Sequence, residues 1–193
     1  MKPNYLGIVG GILALVSLAL PWWTMSLSSA SGAGTSMDVT IYPYMAQVGG
    51  TIADLSARQL MFGWAALVFT VMGGAVGIVA GVVAGVKPGK LKGYYGRRLN
   101  IGSLGLLSVI FFAVMLQIEL LQDTLGIGLS NVFLFGSGQL YFTEYGINAN
   151  YFSYLSFGFW LALAASIVLF VAFRKKPVEA AVAPQPSPPP AMQ

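Results

Sequence analysis

The 193-residue sequence contains no cysteine and no histidine, and only 8% of its residues are charged. Without cysteine the chain can form no disulfide, thiolate metal site or thiol nucleophile. Without histidine it has no imidazole ligand and no imidazole base. Soluble domains carry about 25% charged residues, whereas 56% of this chain is hydrophobic. The composition therefore indicates a membrane protein, and it excludes most haem, zinc and catalytic-triad chemistry.

Long apolar stretches alternate with more polar segments along the chain. About 20 apolar residues cross a bilayer as a helix, and such stretches lie at about 5–23, 61–86, 99–121 and 151–173. They predict an all-α membrane protein, a four-transmembrane-helix bundle within a membrane domain of residues 1–176. Trp22 and Trp23 close the first stretch, where an interfacial aromatic belt is expected. A cleaved signal peptide is the alternative interpretation of that stretch.

Two long segments between these stretches have strand propensity. Residues 37–44, within the predicted external loop 24–60, alternate in the way that half-buried strands do. In the predicted external loop 122–150, two apolar runs at 132–135 and 139–145 surround a Gly-Ser-Gly sequence, which predicts a β-hairpin. The two long loops are therefore expected to form a small extracellular β-element. The proline-rich residues 177–193 predict a disordered cytoplasmic tail.

The distribution of charge predicts an orientation in the cell membrane. All basic residues except Arg58 lie at the N-terminus, in the turn 87–98 or after Phe173. All acidic residues except Glu179 lie in or next to the two long loops. The positive-inside rule then places the N- and C-termini in the cytoplasm and both long loops outside.

Glycines recur at every fourth position of the second apolar stretch and again in the first. Residues four apart share a face of a helix, and small residues at this spacing let a second backbone come close in lipid. The pattern predicts that these glycines pack helices together, either within the bundle or against a partner subunit. The helix-packing candidates are Gly7, Gly11, Gly73, Gly77, Gly81 and Gly85.

Two further groups of residues are candidates for a functional role. Glu119 is the carboxylate nearest to lipid, with Gln122 and Asp123 on the same helix face, so the three could form a polar or cation site. Alternatively, the helix simply extends past the lipid at this point. Aromatic residues of the loops are candidates for partner contacts, although they could equally form a small core; they are Tyr42, Tyr44, Tyr141 and Tyr145.

The order of spans and loops resembles the claudin-like four-span membrane proteins. In that family, strands of both external loops join into one sheet, for which residues 37–44 and 139–145 are the candidates here. Members of that family also have an aromatic residue just after the first span, and Trp22 and Trp23 occupy that region in this chain. The family's two loop cysteines and its W-G-L-W motif have no counterpart in this chain. The resemblance implies an architecture and a role in adhesion or assembly, by homology or by convergence, and assigns no role to a single residue.

The function predicted from these observations is non-catalytic. No phosphate-binding, dinucleotide, metalloprotease or nucleophile-elbow motif occurs in the sequence. We therefore predict a protein that is not an enzyme, that binds no cofactor or metal, and that acts in protein–protein interaction or as a subunit of a membrane complex. Its expected partners are the lipid bilayer and another membrane protein or a second copy of itself, and no nucleic acid. The alternative prediction is a channel or transporter subunit that works as an oligomer.

Overall fold

The computed structural model describes residues 3–29, 36–53, 57–86, 101–122, 134–142 and 147–173. This part of the chain combines helices with one antiparallel sheet. The helices are α1 (Tyr5–Ser17), α2 (Ala57–Val86), α3 (Ile101–Gln122) and α4 (Phe157–Ala172). The strands are β1 (Trp23–Ser29), β2 (Met37–Ile41), β3 (Ala46–Val48), β4 (Thr51–Ala53), β5 (Gly136–Phe142) and β6 (Ile147–Leu155).

The prediction of an all-α four-span membrane bundle is wrong. The described residues contain a six-stranded sheet in addition to the helices, so the fold is mixed. Of the described helices, α2 alone is long and apolar enough to cross a membrane, over Met61–Val83. The helices Tyr5–Ser17, Ile101–Gln117 and Phe157–Ala172 are apolar but shorter. Hydropathy overestimated the lengths of the helices. Where an apolar strand leads directly into a helix, hydropathy averaged over a window does not distinguish the strand from the helix.

The sheet has the strand order β4-β3-β2-β1-β6-β5, and all of its strand pairs are antiparallel. Its centre is the pair β1–β6, which runs from Trp23 opposite Leu155 to Ser29 opposite Ala149. The sheet therefore joins strands from the two segments predicted as external loops. Of the residues predicted as a strand at 37–44, Met37–Ile41 form β2, which lies two strands away from β6, and the remaining three lie in the turn before β3.

Alternation of apolar and polar residues explains the central strand. In β1, Trp23, Met25 and Leu27 are buried, whereas Thr24 and Ser26 between them are only half-buried. Successive side chains of a strand point to opposite faces of the sheet. The sheet consequently has an inner apolar face and an outer, more polar face.

Two local predictions are wrong because the residues form strands. Residues 151–155 were assigned to the fourth span, but Tyr151 and Ser153 are buried while Phe152 and Tyr154 are exposed, and this period of two belongs to β6. The Gly-Ser-Gly sequence is not the turn of a hairpin: it opens β5, which pairs with β6. Gly136 has a φ of +142° there, and glycine adopts this backbone conformation readily.

The helices pack in a ring in which α1 and α3 each contact both α2 and α4. The inner face of the sheet lies on one end of this ring, the end formed by the last turns of α1 and α3 and the first turns of α2 and α4. One core connects the two layers. Its members include Met25, Val39 and Tyr151 from the sheet and Ala66, Phe112 and Phe159 from the helices.

Several predicted features lie outside the described residues. They are the tail 177–193, the basic turn 87–98 and the residues Asp123 and Tyr145.

Candidate functional site

Trp22 and Trp23 join the sheet to the helices. The Trp22 ring contacts Phe112 edge-on with 5.0 Å between ring centroids, and its Nε1–H donates to the Ser17 carbonyl at 2.9 Å. The Trp23 Nε1–H donates to the Leu134 carbonyl at 2.8 Å. Both side chains are fully buried. The prediction that they form an interfacial belt is therefore wrong, because they fill the core between the layers.

This junction also holds the backbone of the two central strands. The Trp22 N–H donates to the Ile41 carbonyl and the Ser156 N–H donates to the Trp22 carbonyl, each at 2.9 Å. The start of β1 is thus bonded to the end of β2 and to the beginning of α4. Hydrogen bonds and a shared core therefore join the sheet to the helices on its inner side.

The outer face of the sheet carries two neighbouring aromatic side chains. Phe152 is 56% exposed and Tyr154 is 41% exposed, and their ring centroids lie 5.6 Å apart. Aromatic rings usually enter a core because each can bury a large apolar area. Two adjacent aromatic rings that stay exposed on β6 therefore mark a candidate contact surface.

Small polar residues surround this aromatic pair. In the strand register, Phe152 lies between Ser26 of β1 and Ser137 of β5, and Thr24 lies beside Tyr154. The next position of β6 on this face is Asn150, which lies between Ser28 and Gln139. We call this set the aromatic face; it consists of Thr24, Ser26, Ser28, Ser137, Gln139, Asn150, Phe152 and Tyr154.

The aromatic face is close to electrically neutral. Asp38, opposite Ser26 in the register, is the one charged residue among the side chains that the structure describes, and it is exposed. Within the described residues, no group of three or more histidine, cysteine, aspartate or glutamate side chains could hold a metal ion. The chemistry of the face is hydrogen bonding by hydroxyl and amide groups around an apolar centre.

The predicted glycines fall into different environments. Gly7, Gly11, Gly77 and Gly81 lie where α1 and α2 approach each other, and a Cβ on Gly11 would stand 2.5 Å from the Gly74 carbonyl oxygen. The atoms nearest to a Cβ on Gly7 and on Gly77 belong instead to the Phe173 and Leu169 side chains. Gly73 instead faces α3, and a Cβ there would meet its nearest atom, the Gly105 nitrogen, at 3.6 Å. Gly85 lies in the last turn of α2, and its surroundings are outside the described part.

Three glycines that were not among the helix-packing candidates also pack closely against another helix. A Cβ on Gly102 would overlap the Phe170 backbone, and one on Gly105 would overlap the Ser166 hydroxyl, so both let α3 approach α4. A Cβ on Gly74 would lie 3.0 Å from the Gly11 carbonyl oxygen. The signal for the α3 glycines is the small-residue run Gly102-Ser103-x-Gly105, which is shorter than the run in α2.

The predicted tyrosine contacts are only partly placed. Tyr42 and Tyr44 lie in the turn between β2 and β3, with ring centroids 5.9 Å apart, and the Tyr42 N–H donates to the Met45 carbonyl. Tyr42 is half-buried and Tyr44 is exposed. Tyr141 lies in β5 opposite Asn148, and its side chain is outside the described part. Sequence reasoning assigned Phe152 and Tyr154 to an aromatic belt at the start of the fourth span and did not identify them as contact residues.

The proposed polar group stays a prediction. Glu119 and Gln122 lie near the end of α3, and their side chains are outside the described residues. A buried contact between two side-chain hydroxyls lies elsewhere, between α2 and α3. There the Thr70 hydroxyl is 2.9 Å from the Ser108 hydroxyl, and Ser108 donates to the Gly105 carbonyl at 2.8 Å.

Comparison of the sequence with protein-family models gave no match, and comparison with curated proteins gave no match either. The resemblance to claudin-like proteins therefore stays a prediction.

Proposed function

We propose that the protein is a non-catalytic interaction or assembly protein of the cell membrane, and that the aromatic face is its contact surface for a partner protein. The observation that carries this proposal is the exposed pair Phe152 and Tyr154, ringed by serine, threonine, asparagine and glutamine. Aromatic residues are enriched at protein interfaces relative to the rest of the surface. Tyrosine with serine, glycine and asparagine is also the composition with which antibody loops bind proteins.

The rigidity of the sheet supports this role. The aromatic face lies on β1, β5 and β6, and Met25, Leu140 and Tyr151 on the other face of these strands are packed into the core of the molecule. A surface held in this way loses little conformational entropy when a partner binds. The partner is a protein of the same membrane or a second copy of the chain. A nucleic acid is a poor fit, since the described part of the face presents no basic side chain for its phosphates.

Site-specific photocrosslinking in the native membrane tests the proposal. A photoreactive residue replaces Gln139, which is exposed beside the aromatic pair. In the control, the same photoreactive residue replaces Val79, which is exposed on α2. We expect a discrete protein adduct from position 139 and none of the same mass from position 79. An adduct of twice the mass of the chain identifies the partner as a second copy.

A matched pair of substitutions shows whether the aromatic pair is responsible. In the protein that carries the photoreactive residue at position 139, the additional substitution Phe152→Ser is expected to abolish the adduct. Ile52→Ser removes an apolar side chain that is more exposed than Phe152, from the edge strand β4, and is expected to leave the adduct unchanged. Equal yields from both variants, or no adduct from position 139 at all, would contradict the proposal.

A further inference from the structure

The outward surface of the helices is apolar along its whole described length. On α2 the exposed side chains include Trp64, Val68, Val71, Val79 and Val82, which follow one another at helical spacing. The other helices show the same pattern; their exposed residues include Leu6, Val9, Ile12, Val16, Leu107, Ile110, Val114, Phe157, Trp160, Ile167 and Val171. Contiguous apolar patches larger than a few hundred Å² are rare on proteins whose surface meets water.

Hydroxyl groups lie on the opposite side of the helices from this apolar surface. Thr70, Ser108 and Ser166 are almost completely buried inside the ring of helices. Each bonds within the protein, with Ser166 donating to the Ala162 carbonyl at 2.7 Å. A helical layer that buries its hydroxyl groups and exposes valine and isoleucine has the arrangement suited to an apolar solvent.

Two tryptophans mark the end of this surface next to the sheet. Trp64 and Trp160 lie near the beginnings of α2 and α4, and each is 54% exposed. The Trp160 Nε1–H donates to the Leu155 carbonyl at the end of β6. An exposed indole has an apolar body and one polar group, and such side chains are enriched where hydrocarbon meets water.

The length of the apolar surface of α2 matches a bilayer. From Trp64 to Val82 an α-helix rises about 27 Å, at about 1.5 Å per residue. The hydrocarbon core of a typical bilayer is about 30 Å thick. Only 39% of the apolar stretch of α2 is buried inside the protein, whereas a core helix of a protein surrounded by water would be mostly buried.

We propose that the acyl chains of a phospholipid bilayer cover this outward helical surface, with α2, the one described helix long and apolar enough to cross the bilayer, spanning its depth and with Trp64 and Trp160 at the interface beside the sheet. The sheet and its aromatic face then stand outside the hydrocarbon. This inference rests on the membrane location in the proposed function, and it adds the depth and the orientation of the protein in the lipid.

Quenching of tryptophan fluorescence by brominated lipids tests the depth. The full chain is reconstituted into phosphatidylcholine vesicles that carry bromine either near the headgroup or near the middle of the acyl chains. We expect the wild-type protein to be quenched more strongly by the shallow bromines. The variant with Trp64→Phe and Trp160→Phe keeps only the buried Trp22 and Trp23, so it is expected to lose most of the quenching.

A third variant reports on the middle of the bilayer. Val71→Trp, introduced into the double Phe variant, places an indole about 10 Å further along α2 than position 64, at about 1.5 Å per residue. It is expected to restore quenching, now stronger with the deep bromines. All three substituted positions are exposed, and the near-ultraviolet circular dichroism of Trp22 and Trp23 verifies that each variant is folded.

Flotation of the vesicles separates this inference from the proposed function. Protein that does not float with the vesicles contradicts the membrane location itself. Protein that floats but shows no quenching at positions 64, 71 and 160 overturns the inference alone, because a second copy or another protein must then cover the helices. Stronger deep quenching at position 64 than at position 71 overturns the proposed orientation.

Discussion

At the scale of single residues, two glycines of α1 and α2 that look alike in the sequence differ in their surroundings. A Cβ on Gly11 would lie 2.5 Å from the Gly74 carbonyl oxygen and 3.0 Å from the Ile78 nitrogen, and backbone atoms of a packed helix cannot move aside. We expect Gly11→Ala to destabilise the protein by about 1–3 kcal/mol through overpacking. Thermal unfolding in mild detergent, followed by circular dichroism, measures the change.

Gly73→Ala is the matched control for this substitution. Its Cβ would make ordinary contacts of 3.6 Å or more with α3. Alanine is also favoured over glycine in a helix by about 1 kcal/mol. The variant is therefore expected to be as stable as the wild type or more stable. Equal destabilisation by the two substitutions would show that the close approach of α1 and α2 is not what sets the stability.

At the scale of elements, one hydroxyl pair joins α2 to α3. The Thr70 and Ser108 hydroxyls are 2.9 Å apart and buried. A double-mutant cycle with Thr70→Val and Ser108→Ala is expected to give a coupling energy of about 1 kcal/mol, the usual net contribution of one hydrogen bond. Thr70→Ser keeps the hydroxyl and is expected to keep the coupling. Additive effects of the two substitutions would mean that the pair does not hold the helices together.

At the scale of the whole molecule, the sheet and the helices share one core and should unfold together. Phe112 of α3 is fully buried against the Trp22 and Phe159 rings. We expect Phe112→Ala to lower the free energy of unfolding by about 3–5 kcal/mol. We also expect it to raise the rate of amide hydrogen exchange in β1 and β6 as much as in α3. Ile110→Ala, an exposed position of the same helix, is the control and is expected to change neither. Faster exchange in α3 with an unchanged sheet would show that the layers unfold separately.

Prediction from the sequence succeeded best where the signal was local. The apolar stretches at 61–86 and 99–121 correspond closely to α2 and α3, because a long apolar run without proline favours a helix. It failed at 151–155, where the apolar residues of β6 lead directly into α4. It failed again at Trp22 and Trp23, since an aromatic pair after an apolar run has the same sequence pattern whether it meets lipid or a core.

The candidate contact surface shows the same limit. Phe152 and Tyr154 lie two positions apart with Ser153 between them, and this spacing places the two rings on one face only if the segment is a strand. Ser26 and Ser137, the neighbours of Phe152 across the sheet, are more than a hundred residues apart in the chain. Strand pairing brings them together, and no spacing along the chain records it.

The composition established that this chain has no thiol or imidazole chemistry and little charge. The order of its residues established the apolar stretches and the glycines at helical spacing within them. These are properties of single residues and of near neighbours, so they do not depend on how the chain folds. Folding in three dimensions settled which glycines meet another backbone, which tryptophans are buried and which aromatic residues stay exposed. Those outcomes depend on contacts between segments distant in sequence, and the packing of the whole core selects them.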